Sequence, residues 1–135
     1  MSPAERRAPV ACTPANVPRE KRARWLALGV QVYAAVEELR ELPDGYEFRL
    51  PNDAASFVAT AEYVTLDRLC CAFLCWDLRA EPDGGPIWLR LTGPEGTKTL
   101  LRSTLETVDL VPERVVRAAG IPITARRQSA AEGLA

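Results

Sequence analysis

Three thiols fall within six residues in Cys70-Cys71-Ala72-Phe73-Leu74-Cys75, and a fourth, Cys12, stands alone near the N-terminus. The chain has no histidine. Without imidazole there is no Ser-His or Cys-His catalytic pair and no His-ligated zinc, so polar chemistry falls to thiols, carboxylates, arginines and hydroxyls. Adjacent cysteines diverge by about 100° on a continuing helix, but a backbone leaving the helix brings both sulfurs toward one ion. Soft thiolates select thiophilic ions, and Cys12, Cys70 and Cys71 together suit trivalent arsenic, divalent mercury or monovalent copper. Zinc requires a fourth ligand, which Cys75 or Asp67 supplies only if the fold directs it inward. Small buried cysteines also serve as plain packing residues, a reading that stays open for Cys70 and Cys71. Cys75 is expected on the solvent face of a strand, outside the site.

The elements that must position these thiols follow from periodicity. Residues 1–18 hold four prolines and little pattern, so they read as a flexible lead. Trp25, Leu28, Gly29, Val32, Val36 and Leu39 recur at intervals of three and four, placing a stripe on an amphipathic helix of roughly five turns. Pro43-Asp44-Gly45 ends that helix with a turn. Tyr46, Phe48 and Leu50 alternate with charged residues, as in a strand buried on one face. Asn52 or Asp53 then caps a second helix that finishes near residues 69–72. Leu74, Trp76 and Leu78 share one face of a second strand, Asp83-Gly84-Gly85 turns the chain, and Ile87, Leu89 and Leu91 alternate on the returning strand. Gly93-Pro94-Glu95-Gly96 reads as a turn and cap, lacking the lysine of a phosphate loop. A third helix runs from Thr97 to about Glu106. The expected fold is therefore an α+β two-layer sandwich of order α-β-α-β-β-α with a small, mainly antiparallel three-stranded sheet. Residues 19–106 form its single domain, and residues 107–135 read as a mostly mobile tail with a short helical stretch near Val111 to Ala119.

Composition bounds the function. A chain of 135 residues with 47% apolar and 26% charged residues builds one core. Seventeen basic residues against eighteen acidic ones leave no broad positive field for nucleic acid or anionic membrane. No apolar run reaches the length of a membrane span or a secretory signal core, so a cytoplasmic protein is expected, in which thiols stay reduced. Asp67, Asp77, Glu81 and Asp83 define no hydrolytic pair and read mostly as solvated carboxylates, while Trp25, Trp76 and Trp88 read as packing residues.

The segments Glu41-Leu42-Pro43-Asp44-Gly45-Tyr46-Glu47-Phe48-Arg49-Leu50-Pro51, Asp67-Arg68-Leu69-Cys70-Cys71-Ala72-Phe73-Leu74 and Gly85-Pro86-Ile87-Trp88-Leu89-Arg90-Leu91-Thr92-Gly93-Pro94-Glu95-Gly96 resemble a largely uncharacterised family of small bacterial proteins. A similar domain is fused behind the DNA-binding part of some regulators of the mercury-resistance (MerR) type. The resemblance spans about Cys12 to Glu106. The family's early cysteine is matched by Cys12, and its acidic-Arg-x-Cys-Cys-Pro-Phe run by Asp67, Arg68, Cys70, Cys71 and Phe73, with Ala72 where the family has proline. The resemblance implies a functional role for Cys12, Cys70 and Cys71 and leaves Cys75 aside. The DNA-binding part is not in this chain, so no nucleic-acid function carries over. Residues and resemblance together suggest a non-enzymatic module holding a soft metal or metalloid ion, with a protein partner or homo-oligomer left open. A structural or interaction domain with inert cysteines, and a thiol redox protein, are the alternatives.

Overall fold

The computed structural model describes residues 8–123. Two short 3₁₀ turns, Pro14–Asn16 and Arg19–Lys21, lead into helix α1, Arg22–Ala34. Strands β1 (Glu38–Leu42) and β2 (Gly45–Leu50) follow, then α2 (Ala54–Cys70), β3 (Cys75–Ala80), β4 (Ile87–Thr92), α3 (Thr97–Thr107) and α4 (Glu113–Ala118). The fold is mixed helix and sheet, as expected, but its sheet has four antiparallel strands in the order β1-β2-β4-β3.

The expected three-stranded sheet and α-β-α-β-β-α order are corrected by β1. Its residues were assigned to the end of the first helix, because Val36 and Leu39 continue the helical spacing of Val32. The helix instead stops at Ala34, and Leu39 faces the core opposite Phe48. A short edge strand with one inward residue leaves too little alternation to be distinguished from a helical stripe. Pro43-Asp44 is thus the two-residue connection of a hairpin, with Leu42 opposite Gly45. Gly45 is required there because a Cβ at this position would collide with the Leu91 carbonyl of β4.

One face of the sheet builds the core. Tyr46, Phe48 and Leu50 of β2 stand beside Leu91, Leu89 and Ile87 of β4, and all six are buried. Trp25, Leu28 and Val32 of α1 and Ala59, Tyr63 and Leu66 of α2 belong to the same apolar cluster. Edge-to-face rings tie the layers together: Tyr33 lies 5.5 Å from both Phe48 and Tyr63, and Tyr63 lies 6.2 Å from Trp76. The other face is polar, with an Arg90–Glu47 ion pair at 3.1 Å and the Arg40 guanidinium 4.4 Å from the Trp88 ring centre.

Residues on both sides of 19–106 also contribute to the core. Within the expected flexible lead, Val17 is completely buried, the Thr13 amide donates to the Cys70 carbonyl at 2.8 Å, and Arg22 Nε donates to the Val17 carbonyl at 3.0 Å. Residues 1–7 lie outside the described region. Beyond Glu106 the core continues through Val111, Val115, Val116 and Ile121, with α4 where the short helical stretch was expected; residues 124–135 of the expected tail again lie outside the description. Isolated apolar residues between prolines carry no period, so only the surface that receives them reveals their role. Among the described residues no helix is long and apolar enough to cross a membrane.

Candidate metal centre

Helix α2 begins with a local cap, in which Asp53 Oδ1 accepts the Ser56 amide at 2.7 Å. It ends where the chemistry lies. Cys71 leaves helical geometry at φ −111°, ψ 65° while its amide still donates to the Asp67 carbonyl at 2.8 Å. This departure turns two neighbouring thiols inward together. The backbone bond from Thr13 to Cys70 then holds the preceding residue, Cys12, against the same corner.

The sulfurs of Cys12, Cys70 and Cys71 all lie within 4.8 Å of one another, and those of Cys12 and Cys71 are 3.2 Å apart. Three sulfurs in a trigonal plane around an ion at ~2.3 Å would stand about 4 Å apart, so this cluster is close to ligating size. Cys70 and Cys71 are buried, at 4% and 9% exposure, while Cys12 is open to solvent. Cys75 is exposed on β3 and takes no part in the cluster. The sequence thus identified the members of this group, and the fold brings them together.

Asp67 is the exception among four carboxylates expected to be mostly solvated. It is only 7% exposed, and its Oδ1 accepts the Trp25 indole N–H at 2.9 Å. Its burial was legible in the stripe Tyr63, Leu66, Asp67, Cys70, which is spaced by three and four along α2 and buried throughout. Trp25 therefore packs, as expected, and also serves a carboxyl. Asp67 contributes no oxygen to the trio of sulfurs, and among the described residues no fourth protein ligand joins them.

Electrostatics divide the thiols. The Cys71 thiol next to Cys12 favours the Cys12 thiolate and lowers its pKa from 9.0 to about 7, against the opposing effects of burial and Asp67. Cys71, the donor in that pair, is pushed far up by the same hydrogen bond and by burial. Burial, reinforced by the charge of Asp67, raises Cys70 to about 11. Burial also raises Asp67, while hydrogen bonds from Trp25, Tyr63 and Cys71 pull it back. One thiolate is therefore accessible near neutral pH, and the next two form only when a cation compensates them.

The cluster opens on a cavity of about 680 Å³ between the α1–α2 layer and α3, over the sheet. Trp25, Leu26 and Val30 of α1 and Leu100, Leu101 and Leu105 of α3 are among the residues that line it. No residue pattern signals this space, because a cavity is a property of how elements diverge. No family model, no curated protein and no solved structure matches the chain.

Proposed function

We propose that the protein is a non-enzymatic module that binds a soft metal or metalloid ion through the thiolates of Cys12, Cys70 and Cys71, as a sensor, buffer or accessory protein in the cytoplasm. The observation that carries this reading is the convergence of three sulfurs within 4.8 Å from segments 59 residues apart. Three sulfurs without an imidazole or a fourth ligand favour thiophilic ions of low coordination number over zinc. The likeness of the Cys12 and Asp67-to-Phe73 segments to the family associated with mercury-resistance-type regulators supports the same chemistry.

Titration of the reduced protein with arsenite, divalent mercury, monovalent copper and zinc tests it, with sulfur-to-metal charge-transfer absorption as the signal. The expected result is one ion per chain, bound more weakly in each of Cys12→Ser, Cys70→Ser and Cys71→Ser. Retention of stoichiometry and affinity for all four ions in these variants would refute it.

The 3.2 Å approach of Cys12 and Cys71 favours a second reading, a thiol redox protein. In that reading the Cys12 thiolate attacks a hydroperoxide, releasing an alcohol or water and leaving a sulfenic acid. The Cys71 thiol then displaces water to close a disulfide, two electrons having passed from the thiols to the peroxide. Mass spectrometry after peroxide treatment distinguishes this reading by a Cys12–Cys71 linkage that forms faster than oxidation of Cys75.

A further inference from the structure

The metal-binding reading leaves most of the cavity beside the thiols unexplained. An inorganic ion held by three sulfurs needs only the few ångströms around its ligands, whereas about 680 Å³ falls within the usual range for organic ligands. The walls set the chemistry of an occupant. Leu26 and Val30 of α1 and Leu100 and Leu101 of α3 line it, and Asp67, the one carboxyl among the lining residues, is already engaged by Trp25. Apolar walls of this kind repel the hydration shell of an ion and favour a hydrocarbon group. Cys12, Cys70 and Cys71 all line the same space, so its anchoring point is soft and sulfur-rich.

We infer that the ligand is a monoorganyl compound of a thiophilic element, in particular an aryl- or alkylarsenic(III) species, with its organic group in the cavity. The inference rests on the thiolate reading and names its ligand class. The spacing of the thiols supports it: two sulfurs at ~2.3 Å from a pyramidal centre stand about 3.3 to 3.5 Å apart, near the 3.2 Å between Cys12 and Cys71. These two close the chelate, and carbon takes the third position that Cys70 fills around inorganic arsenic. The exchange balances without redox chemistry. An arsonous acid, R–As(OH)₂, loses both hydroxyls as two As–S bonds form, and each leaves as water with one thiol proton.

The test compares phenylarsine oxide, methylarsonous acid and arsenite by calorimetry on the reduced full chain, with a free dithiol as reference for intrinsic thiol affinity. After that correction, phenyl should be preferred over methyl by about fiftyfold, the gain from burying the ring. Leu101→Trp, which fills the cavity, and Leu101→Asn, which makes its wall polar without adding bulk, should each reduce that preference by roughly tenfold and leave arsenite binding as it was. Cys70→Ser should weaken arsenite by roughly tenfold or more while phenylarsine oxide remains within about threefold of wild type. If phenyl and methyl bind alike after correction and the Leu101 variants change nothing, the inference is overturned while arsenite binding upholds the thiolate site. If none of the cysteine variants affects any of the three compounds, the thiolate site fails with it. Sedimentation showing a dimer that Leu101→Trp dissociates would assign the cavity to a second copy of the chain and overturn the inference as well.

Discussion

The two ends of α2 are built differently. At its start, Asp53 accepts the amide and the hydroxyl of Ser56, three residues away, at 2.7 and 3.1 Å. At its finish, Cys71 meets Cys12 from 59 residues away, and Asp67 meets Trp25 from 42 residues away. The first end is a local solution to unpaired amides, so any chain with this short sequence can form it. The second draws on three separated segments and holds polar groups that water no longer solvates. Such an arrangement costs stability wherever a partner is missing, and it is also the place where unusual thiol chemistry can be maintained.

The sharpest way to break the comparison is to remove a sulfur. Cys71→Ser should reduce affinity for arsenite by more than the roughly tenfold to hundredfold typical of losing an outer-shell partner, while Cys75→Ser leaves it unchanged. Charge-transfer titration reads both, and equal behaviour of the two variants would erase the distinction between the corner and the strand beside it. Next in size is Asp67→Ala, which strands the buried Trp25 N–H and should destabilise the fold by about 1–3 kcal/mol in urea unfolding. Asp67→Asn keeps an acceptor and should recover much of that loss. It also removes a negative charge that opposes all three thiolates, so Cys12 should titrate below about 7 in this variant.

At the local end, Asp53→Ala should cost about 1 kcal/mol and leave the rate of thiol alkylation untouched. A change in Cys12 reactivity in that variant would show that the two ends are coupled through the helix. A further prediction concerns pH. Cys12 titrates lower in the fold than its ordinary 9.0, so its stabilising contribution grows as pH rises through about 7 and is complete above 9. Cys70 is raised to about 11, so its contribution is present below 9 and is lost between 9 and 11. For the reduced, metal-free protein these two groups therefore favour greatest stability near pH 9, with iodoacetamide alkylation of Cys12 rising in rate around pH 7. Replacing Cys71 with alanine should move that rise toward the ordinary thiol value.

Much of the fold was legible because it is periodic. Alternation marked β2 and β4, spacings of three and four marked α1 and α2, and Asn52-Asp53 announced a cap that Asp53 supplies. Leu39 was misread because one inward residue on an edge strand has no period of its own, and the spacing from Val32 imitated a further helical turn. Val17 and Val116 were missed for a related reason: each is fully buried in a segment whose neighbours carry no regular pattern. The site divides in the same way. Cys70 and Cys71 were visible as a pair at a helix end, and Cys12 as the matching early thiol, whereas Asp67 stood among acids expected to be mostly solvated although its helical neighbours are buried.

By itself the sequence determined the chemical vocabulary of this protein: thiols without histidine, one domain's worth of core, and a helix that must break close to Cys70 and Cys71. The packing of distant segments is what returns Cys12 to within 3.2 Å of Cys71, buries Asp67 against Trp25 and opens an apolar space alongside. The reason is physical. Residue type and local period act over one or two turns of chain, while the approach of distant sulfurs and the gap between α1 and α3 depend on how whole elements pack across the sheet.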